Sequence, residues 1–355
     1  MVESLRWSHH PTDPARVLAS IANFAASPAL ARLVREFGGE LESRGVLESL
    51  GYLEVFAREH WNFRDGRERN LATVAQLSDS QCAAVASAAA ELGFDGAGTL
   101  APAPELTPTL ATALIPARIS AALLAQPPAQ PPALPLAGVD TVIMTGGMVR
   151  ACIVKPRAVV ELIDEGLSVS SVIFLGGFRP FAGDEVALAE ALGLRGQNEF
   201  DAMVAGVEQA FGLSGHPTVR EHRADTQNGS WQEWCWSVHG LRVSVVAAAS
   251  SAPHSRRAHT ADTFRFWADE LRTPHEMSLL VMTTPIYVPY QAAVATQTFG
   301  VERNLAVQSV AVSSTASDLG PLTQIFGPQQ QLQELGSAIS ALKSLLIALI
   351  ERGTG

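Results

Sequence analysis

Two stretches of the chain, VIMTGGMVR at residues 142–150 and VIFLGGFR at residues 172–179, repeat one pattern: an apolar run, a pair of glycines and then an arginine. Both runs are short and rich in β-branched residues, as in strands that are buried on both faces. A glycine pair weakens a strand, so each pair marks the point where the strand ends and the backbone turns. The repeat therefore predicts two neighbouring strands that end alike at one edge of a sheet.

The residues after position 138 alternate between short apolar runs and helical segments. This alternation is typical of a parallel sheet that is covered by helices on both faces. We predict a Rossmann-like three-layer α/β domain with a mostly parallel sheet over residues 138–355. An insertion at residues 213–240 contains Asn228 and Gly229 followed by aromatic residues, which predicts a hairpin.

The first 137 residues differ from the rest in composition and in the spacing of their apolar residues. Residues 1–100 are predicted to form a helical N-terminal region, because their apolar residues recur at helical spacing, and Ser78 and Gln81 have the spacing of a capping box. We expect these helices to pack on the α/β domain. Residues 101–137 are rich in proline and alanine, which predicts an extended linker or a wrapped arm. Residues 59–70 read as a solvated loop or, alternatively, as a lid.

The composition of the chain argues against several classes of protein. A formal net charge of −10 over 355 residues would repel nucleic acids and anionic membranes at long range. Cys82, Cys152 and Cys235 are too few and too widely spaced for a disulfide framework or a thiolate zinc site, and the histidines lack convergent spacing with carboxylates. The sequence has neither the layout of a signal peptide nor the apolar run of about 20 residues that a transmembrane helix needs. We expect a soluble, cytoplasmic protein with no metal site and with neither nucleic acid nor membrane as a partner.

The two glycine pairs, Gly146 with Gly147 and Gly176 with Gly177, fall at the carboxyl ends of predicted strands. Ligands bind at this edge of open parallel sheets, and glycines there let the backbone approach a ligand closely. Each pair by itself can also be a simple turn, and neither matches the Walker or G-x-G-x-x-G phosphate motifs. We predict that the two pairs form the walls of one ligand crevice.

Arg157 is predicted to lie in the first turn of a helix, because the preceding Pro156 suits the first helical position. The helix dipole disfavours a cation there, so the arginine needs a compensating anion. Two kinds of anion remain open: a ligand, or a carboxylate of the protein such as Glu199 or Asp201.

A second basic segment, SSAPHSRRAHTADT at residues 250–263, follows the third predicted strand. Arg256 and Arg257 can chelate phosphate, sulfate or carboxylate oxygens, and Thr260 adds a neutral donor at the start of a helix. The alternative is that Thr260 only caps the helix while the arginines are solvated. We favour an anion-binding loop, because this segment lies at the end of a strand and concentrates positive charge in an acidic protein.

The order of these features resembles the YdcF/SanA-like family of Rossmann-like proteins, over residues 138–300. Asp140 matches the acidic residue that starts the family's first strand, and Arg157 matches the arginine of its first helix. The pair at residues 176–177 matches the family's Ser-Gly-Gly, with leucine in place of serine. Glu199 matches the glutamate of its Ser-Glu-Ala motif.

The later part of the resemblance is looser. Residues 259–263 approximate the family's Asn-Thr-x-Glu-Asn signature, and Thr283 or Thr284 matches its threonine after the fourth strand. Where the family has a histidine and an arginine after that strand, this chain has Tyr287 and Tyr290. The resemblance implies a fold and a pocket, in a divergent member of the family.

Together, the crevice and the resemblance imply an enzyme that acts on a small molecule with a phosphate, sulfate or nucleotide-like group, such as a transferase, a hydrolase or an enzyme of elimination or cyclisation in specialised-metabolite biosynthesis. We predict that Glu199 moves a proton and that His259 and Tyr287 are further catalytic residues. The residues predicted to bind the ligand are Gly146, Gly147, Arg157, Gly176, Gly177, Arg256, Arg257, Thr260 and Thr283.

Other hypotheses remain open. The chain can instead be a binding protein for S-adenosylmethionine or a nucleotide, and the sequence specifies no cofactor beyond these two candidates. It can also be a non-catalytic subunit that stabilises another enzyme through its N-terminal helices or its C-terminal helix. Both a homo-oligomer and a second protein subunit remain open as partners.

Overall fold

The computed structural model describes residues 7–9, 14–41, 45–61, 77–93, 138–312 and 314–354. The predicted linker at residues 101–137 and most of the predicted lid, residues 62–70, lie outside the described residues. The strands are Trp7–His9 (β1), Gly138–Thr145 (β2), Ser168–Gly176 (β3), Thr218–His222 (β4), Trp231–Val238 (β5), Leu241–Ala247 (β6), Ser278–Thr283 (β7) and Ala306–Ala311 (β8).

Helices occupy most of the remaining described chain. They are Pro14–Ala25 (α1), Pro28–Glu36 (α2), Val46–His60 (α3), Asp79–Leu92 (α4), Val149–Asp164 (α5), Glu185–Ala191 (α6), Glu199–Phe211 (α7), Thr260–Phe266 (α8), Val288–Ala295 (α9), Ser314–Ser317 (α10) and Pro328–Thr354 (α11). Helices α8 and α9 each continue as a π-helical turn, at Trp267–Leu271 and Thr296–Val301. The capping box predicted at Ser78 and Gln81 is confirmed at the start of α4.

All eight strands belong to one sheet, in the order β1-β8-β7-β2-β3-β6-β5-β4. The strands β8, β7, β2, β3 and β6 run parallel, while β1 joins one edge and β5 with β4 extends the other edge in antiparallel orientation. Numbered along the chain, the parallel strands read 3-2-1-4-5 from β6 to β8, which is the order of a doubly wound fold. The predicted α/β fold with a mostly parallel sheet is confirmed.

Successive residues of the central strands face two separate cores. Ile143 and Ile173 face the core that also contains α1 to α4, α8, α9 and α11. Val142 and Val172, one position earlier, face the core on the other side, with α5, α6 and α7. The N-terminal helices therefore bury their apolar side chains in the same core as one face of the sheet.

Two apolar helical stretches, Val17–Glu36 and Pro328–Arg352, have the length and composition of a membrane span. Their most apolar windows are 67% and 50% buried inside the protein, and both contribute to the core on the first face of the sheet. Core helices of globular proteins meet the same criterion, so the two stretches are weak evidence for a membrane location.

The insertion extends the sheet as an antiparallel hairpin, as predicted. Its turn contains the 3₁₀ segment Gln227–Gly229, which lies between β4 and β5. The buried Glu233 on β5 accepts hydrogen bonds from Arg220 on β4, at 2.6 Å, and from Arg242 on β6, at 2.8 Å. These two ion pairs join the hairpin to the parallel part of the sheet.

Helix α5 begins at Val149, so the prediction that Pro156 opens this helix is wrong. The N–H of Val149 donates to the carboxylate of Glu185 at 3.2 Å. This hydrogen bond satisfies one of the free N–H groups in the first turn of the helix. Arg157 therefore lies in the helix interior, where the helix dipole does not require an anion beside it.

Pro156 is accommodated inside α5 by a glycine on the neighbouring helix. Proline has no N–H to donate to the carbonyl of Cys152, four residues earlier. Gly206 of α7 lies against that carbonyl, at a separation that leaves no room for a side chain. The missing hydrogen bond and the close approach of the two helices therefore occur at the same place.

Replacing Gly206 with alanine is expected to lower the free energy of unfolding by about 1–3 kcal/mol or more, because the added Cβ overlaps backbone atoms of Cys152 that cannot rotate away. Chemical denaturation measures the effect. The matched control is Gly51→Ala in the interior of α3, where no described atom lies within 4 Å of the added Cβ. This control should gain about 0.5–1 kcal/mol from the better helix propensity of alanine. Equal effects of the two substitutions would contradict the close helix contact.

Candidate functional site

A crevice of about 930 Å³ opens at the carboxyl ends of β2 and β3. The glycine pairs form one side of it, the loop after β6 forms another, and α9 and α11 form the opposite wall. The predicted site residues that line it are Gly146, Gly147, Gly176, Gly177, Glu199, Arg256, Arg257, His259, Thr260 and Tyr287. The structure thus brings most of the predicted residues together at the edge where doubly wound sheets bind ligands.

Arg157 and Thr283, which were also predicted to bind the ligand, are absent from this lining. Arg157 is half-buried in the interior of α5. Thr283 is fully buried at the end of β7, and its hydroxyl oxygen lies 3.2 Å from the hydroxyl oxygen of Thr145 on β2. Thr283 therefore links two strands below the crevice.

The side chain of Glu199, the first residue of α7, lies between the two glycine pairs. Its Oε2 accepts a hydrogen bond from the N–H of Gly177 at 3.1 Å, and the N–H of Gly147 also donates to this carboxylate. A Cβ on Gly146 would lie 2.7 Å from Oε1 of Glu199, and a Cβ on Gly176 would lie 3.2 Å from its Cδ. The first glycine of each pair makes room for the carboxylate, and the second supplies an N–H donor.

Opposing effects act on the protonation of Glu199. Burial raises the pKa of its carboxyl group, while Arg179, the two glycine N–H groups and Arg257 act in the opposite direction. The net result is a pKa above the ordinary glutamate value. A raised pKa is the property that allows a carboxyl group to give and take a proton during catalysis.

Lys155 is fully buried behind the first glycine pair. It is not among the site residues predicted from the sequence. Its Nζ donates to the carbonyl of Thr145 at 2.5 Å, to the hydroxyl of Thr145 at 2.9 Å and to the carbonyl of Gly146 at 3.1 Å. Burial lowers the pKa of Lys155 to about 8, against the opposing influence of Cys152 and Glu199. A signal for this residue exists in the sequence, because lysine occurs only twice and this one stands in the apolar run ACIVKP.

Arg179, the arginine that follows the second glycine pair, is held by the protein. Its guanidinium forms two hydrogen bonds with the buried carboxylate of Glu185, at 2.5 and 2.8 Å, and donates to the carbonyl of Gly147 at 3.0 Å. Arg179 therefore ties the two glycine loops together, with its donors already engaged.

Arg256 is also held by the protein. It forms an ion pair with the buried Asp262 and donates to the hydroxyl of Ser251 at 2.9 Å and to the carbonyl of Arg257 at 3.0 Å. Burial would raise the pKa of Asp262, but its hydrogen bonds, led by the one from Arg256, lower it to about 2. Arg256 thus fixes the shape of the loop that follows β6.

Arg257 differs from both. Its side chain is exposed, lines the crevice and forms neither an ion pair nor a hydrogen bond with any described residue. Its positive charge nevertheless acts on the pKa of Glu199. Of the three arginines that the crevice brings near the glycine pairs, this is the one with a guanidinium ready for a ligand.

His259 is the N-cap of α8, so the alternative in which Thr260 caps this helix is wrong. Its Nδ1 accepts the N–H of Asp262 at 3.3 Å, and the Asp262 carboxylate accepts the N–H of His259 at 3.0 Å. In the neutral imidazole this arrangement places the proton on Nε2, which is a hydrogen-bond donor. Within the described residues no three His, Cys, Asp or Glu side chains are placed to hold a metal ion.

Two tyrosines complete this end of the crevice. The ring of Tyr287 packs edge-on against Phe326, with ring centroids 6.1 Å apart. Burial raises the pKa of Tyr290, although a hydrogen bond with Thr260 opposes the rise. Both tyrosines line the crevice, and Tyr290 keeps its phenolic proton there.

Sequence comparisons connect the chain with mycobacterial proteins. A family model described as the Rv3785 N-terminal domain matches residues 8–93. Uncharacterized protein Rv3785 of Mycobacterium tuberculosis and Uncharacterized protein Mb3814 of Mycobacterium bovis are each 32% identical to the chain over 217 residues, covering 58% of this chain and 59% of each relative. The chain thus aligns with less than two thirds of the length of these curated relatives. No solved structure matches it significantly.

Replacing Gly146 with alanine is expected to lower the free energy of unfolding by about 1–3 kcal/mol, because the added Cβ meets both the Glu199 carboxylate and the Gly176 backbone. Urea denaturation measures the change. The matched control is Gly177→Ala, where the nearest atom to the added Cβ is Oε2 of Glu199 at 4.0 Å. We expect the control to remain within about 0.5 kcal/mol of the wild type. If the control is destabilised as much as Gly146→Ala, the division of roles within the pairs is wrong.

The buried Lys155 predicts a rise of stability with pH. Its pKa is about 8 in the folded protein and 10.5 as the ordinary value, so between these values the unfolded chain binds more protons and the free energy of unfolding rises with pH. The full rise is about 3 kcal/mol. Lys155→Met should remove this contribution. Denaturation of both proteins across this pH range isolates it, since the other titrating groups are common to both. Parallel pH profiles would contradict the assignment.

Proposed function

We propose that the protein is an enzyme that binds a small molecule through an anionic group and transfers a proton to or from it in the crevice. One observation carries the proposal: a buried carboxyl group with a raised pKa, Glu199, lines the same crevice as Arg257, whose guanidinium is unpaired within the described part of the chain. The two groups supply a site of proton transfer and a handle for an anion.

Arg257 is the residue that selects an anionic ligand. Guanidinium groups bind phosphate, sulfate and carboxylate oxygens through two parallel hydrogen bonds. Arg179 and Arg256 form ion pairs with Glu185 and Asp262. In this proposal they shape the crevice and do not bind the ligand. The exposure of Arg257 in a chain of net charge −10 favours a role in binding.

Glu199 is suited to proton transfer because its two protonation states are stabilised by different features. Burial favours the neutral acid, while the N–H groups of Gly147 and Gly177 favour the carboxylate. The same donors hold the side chain in one position at the strand ends. A fixed group that can exchange its proton is what general acid–base catalysis requires.

His259 and Tyr287 supply donors around the same ligand in this proposal. The Nε2–H of His259 would donate to the anionic group, because Nδ1 is occupied by the N-cap hydrogen bond. The hydroxyl of Tyr287 would complete the site from the opposite wall. These roles suit a transfer, a hydrolysis or an elimination in which charge develops on the anionic group.

A relationship to the YdcF/SanA-like family remains a proposal. The glycine pairs and Glu199, which carry the resemblance, line the crevice. Arg157 does not, and Asp140 lies at the opposite end of β2, where it accepts hydrogen bonds from Ser278 and Met277. A nucleotide or S-adenosylmethionine fits the same proposal where its phosphate or carboxylate binds Arg257.

Replacing Arg257 with alanine should weaken the binding of an anionic ligand at least about tenfold, since hydrogen bonds to charged groups are worth about 1.5–3 kcal/mol each. Calorimetric titration with phosphate, sulfate, nucleotides and S-adenosylmethionine measures the loss. The matched control is Arg195→Ala, which removes the same charge from an exposed arginine outside the crevice lining and should bind as the wild type does.

Three outcomes would contradict the proposal. The first is equal binding by Arg257→Ala and the wild type. The second is failure of the wild type to bind any anion, which would favour the non-catalytic subunit. The third concerns catalysis: any turnover of a bound ester should fall at least about a hundredfold in Glu199→Gln, and its persistence would exclude Glu199 as the acid–base group.

A further inference from the structure

Beyond Arg257, the crevice continues between α9 and α11 as a groove with polar walls. We call this part the helix groove and define it by six polar residues that line it: Gln291, Thr298, Glu334, Ser337, Ser340 and Ser344. The proposed anion site does not use any of them. They are neutral hydrogen-bonding groups, with the exception of the carboxylate of Glu334.

The groove leads away from the strand ends. Helix α9 follows the end of β7, and α11 begins close to it, as the contact between Phe326 and Tyr287 shows. Near the other end of α11, Arg352 donates to the carbonyl of Val301 beyond α9. Both helices therefore run in the same direction. Glu334 and Ser344 are ten positions apart, which corresponds to about 15 Å along that path and is more room than a phosphate alone needs.

Two buried polar atoms on the α9 side of the groove have no hydrogen-bond partner within the described structure. They are Oε1 of Gln291 and Oγ1 of Thr298, whose residues are 6% and 1% exposed. Buried polar groups in folded proteins are almost always satisfied, so an orphaned group calls for an explanation. Both residues line the crevice, so a ligand bound there is one source of the missing partners.

The facing helix contributes a row of hydroxyl groups. Ser337, Ser340 and Ser344 are spaced three and four residues apart, which places them on one face of α11. The hydroxyl of Ser337 donates to the carbonyl of Gln333 at 3.1 Å, and that of Ser340 donates to Glu54 at 2.9 Å. Each of these hydroxyls keeps lone pairs that can accept a hydrogen bond from a ligand.

The anion site sets the orientation of the ligand. In the proposed function the anionic group binds Arg257, which leaves the helix groove for the rest of the substrate. Carboxylate, amide and hydroxyl oxygens together accept and donate hydrogen bonds to hydroxyl groups. We infer that the helix groove binds the polyhydroxylated part of the substrate, which makes the substrate a phosphorylated or similarly charged sugar or polyol. This inference rests on the proposed function, since it takes the anion site at Arg257 as given.

Calorimetry on the full chain with a graded set of probes tests the inference. The probes are inorganic phosphate, hexyl phosphate, glucose 1-phosphate and sucrose 6-phosphate. We expect at least one sugar phosphate to bind about tenfold more tightly than hexyl phosphate, which has the charge and the length but lacks the hydroxyls. If neither sugar phosphate binds more tightly than hexyl phosphate, the inference is overturned, even where the binding of phosphate still depends on Arg257.

The substitution Thr298→Val separates ligand binding from stability. The hydroxyl of Thr298 is unpartnered in the free protein, so its removal should leave the melting temperature unchanged or higher. Affinity for the sugar phosphate should fall about threefold to tenfold, with inorganic phosphate unaffected. The matched control is Ser171→Ala, which removes another buried, unpartnered hydroxyl, on β3 outside the crevice lining, and should leave both affinities unchanged.

The outcomes distinguish the two proposals. Equal sugar phosphate affinity in Thr298→Val and the wild type would overturn the role of the helix groove alone. Failure of every phosphate to bind the wild type would overturn the anion site, and this inference with it.

Discussion

The strand ends of this protein are organised around one buried carboxylate, that of Glu199. A carboxylate taken out of water must receive hydrogen bonds from the protein, because its hydration is lost. The N–H groups of Gly147 and Gly177 meet this need, and the preceding glycine of each pair leaves the space that the carboxylate fills. The repeated glycine motif is therefore explained by a third segment, the start of α7, which lies more than twenty residues beyond the second pair.

The cations around Glu199 divide into two groups by their partners. Lys155 is held by Thr145 and Gly146 within the first glycine loop. Arg179 is held by Glu185 and by the carbonyl of Gly147, and it connects the first glycine loop to the second. Arg256 is held by Asp262 in the same way. Such partly buried pairs fix loop geometry and leave their donors occupied. Within the described residues the guanidinium of Arg257 is exposed and unpaired, and this difference in environment, rather than its charge, is why we propose it as a ligand-binding group.

The N-terminal helices take part in the architecture of the crevice although they do not line its anion end. Glu54 on α3 accepts hydrogen bonds from Ser340 and Lys343 on α11, at 2.9 and 2.7 Å, and so braces the helix that forms one wall. The region matched by the family model, residues 8–93, includes α3. The region matched by the family model thus supports the wall of the helix groove, through a contact between segments nearly 290 residues apart in sequence.

The sequence by itself determined the alternation of strands and helices, the hairpin, the cap at Ser78 and the position of the glycine pairs, because periodicity and capping depend on neighbouring residues. The sequence pattern misplaced the start of α5, because it does not show that Pro156 lies inside the helix, where Gly206 of α7 packs against the carbonyl left without a donor. The burial of Lys155, the pairing of Arg256 and the position of the serine row of α11 beside the crevice were decided by tertiary structure alone. Each depends on which distant segment packs beside it, and local pattern carries no information about that.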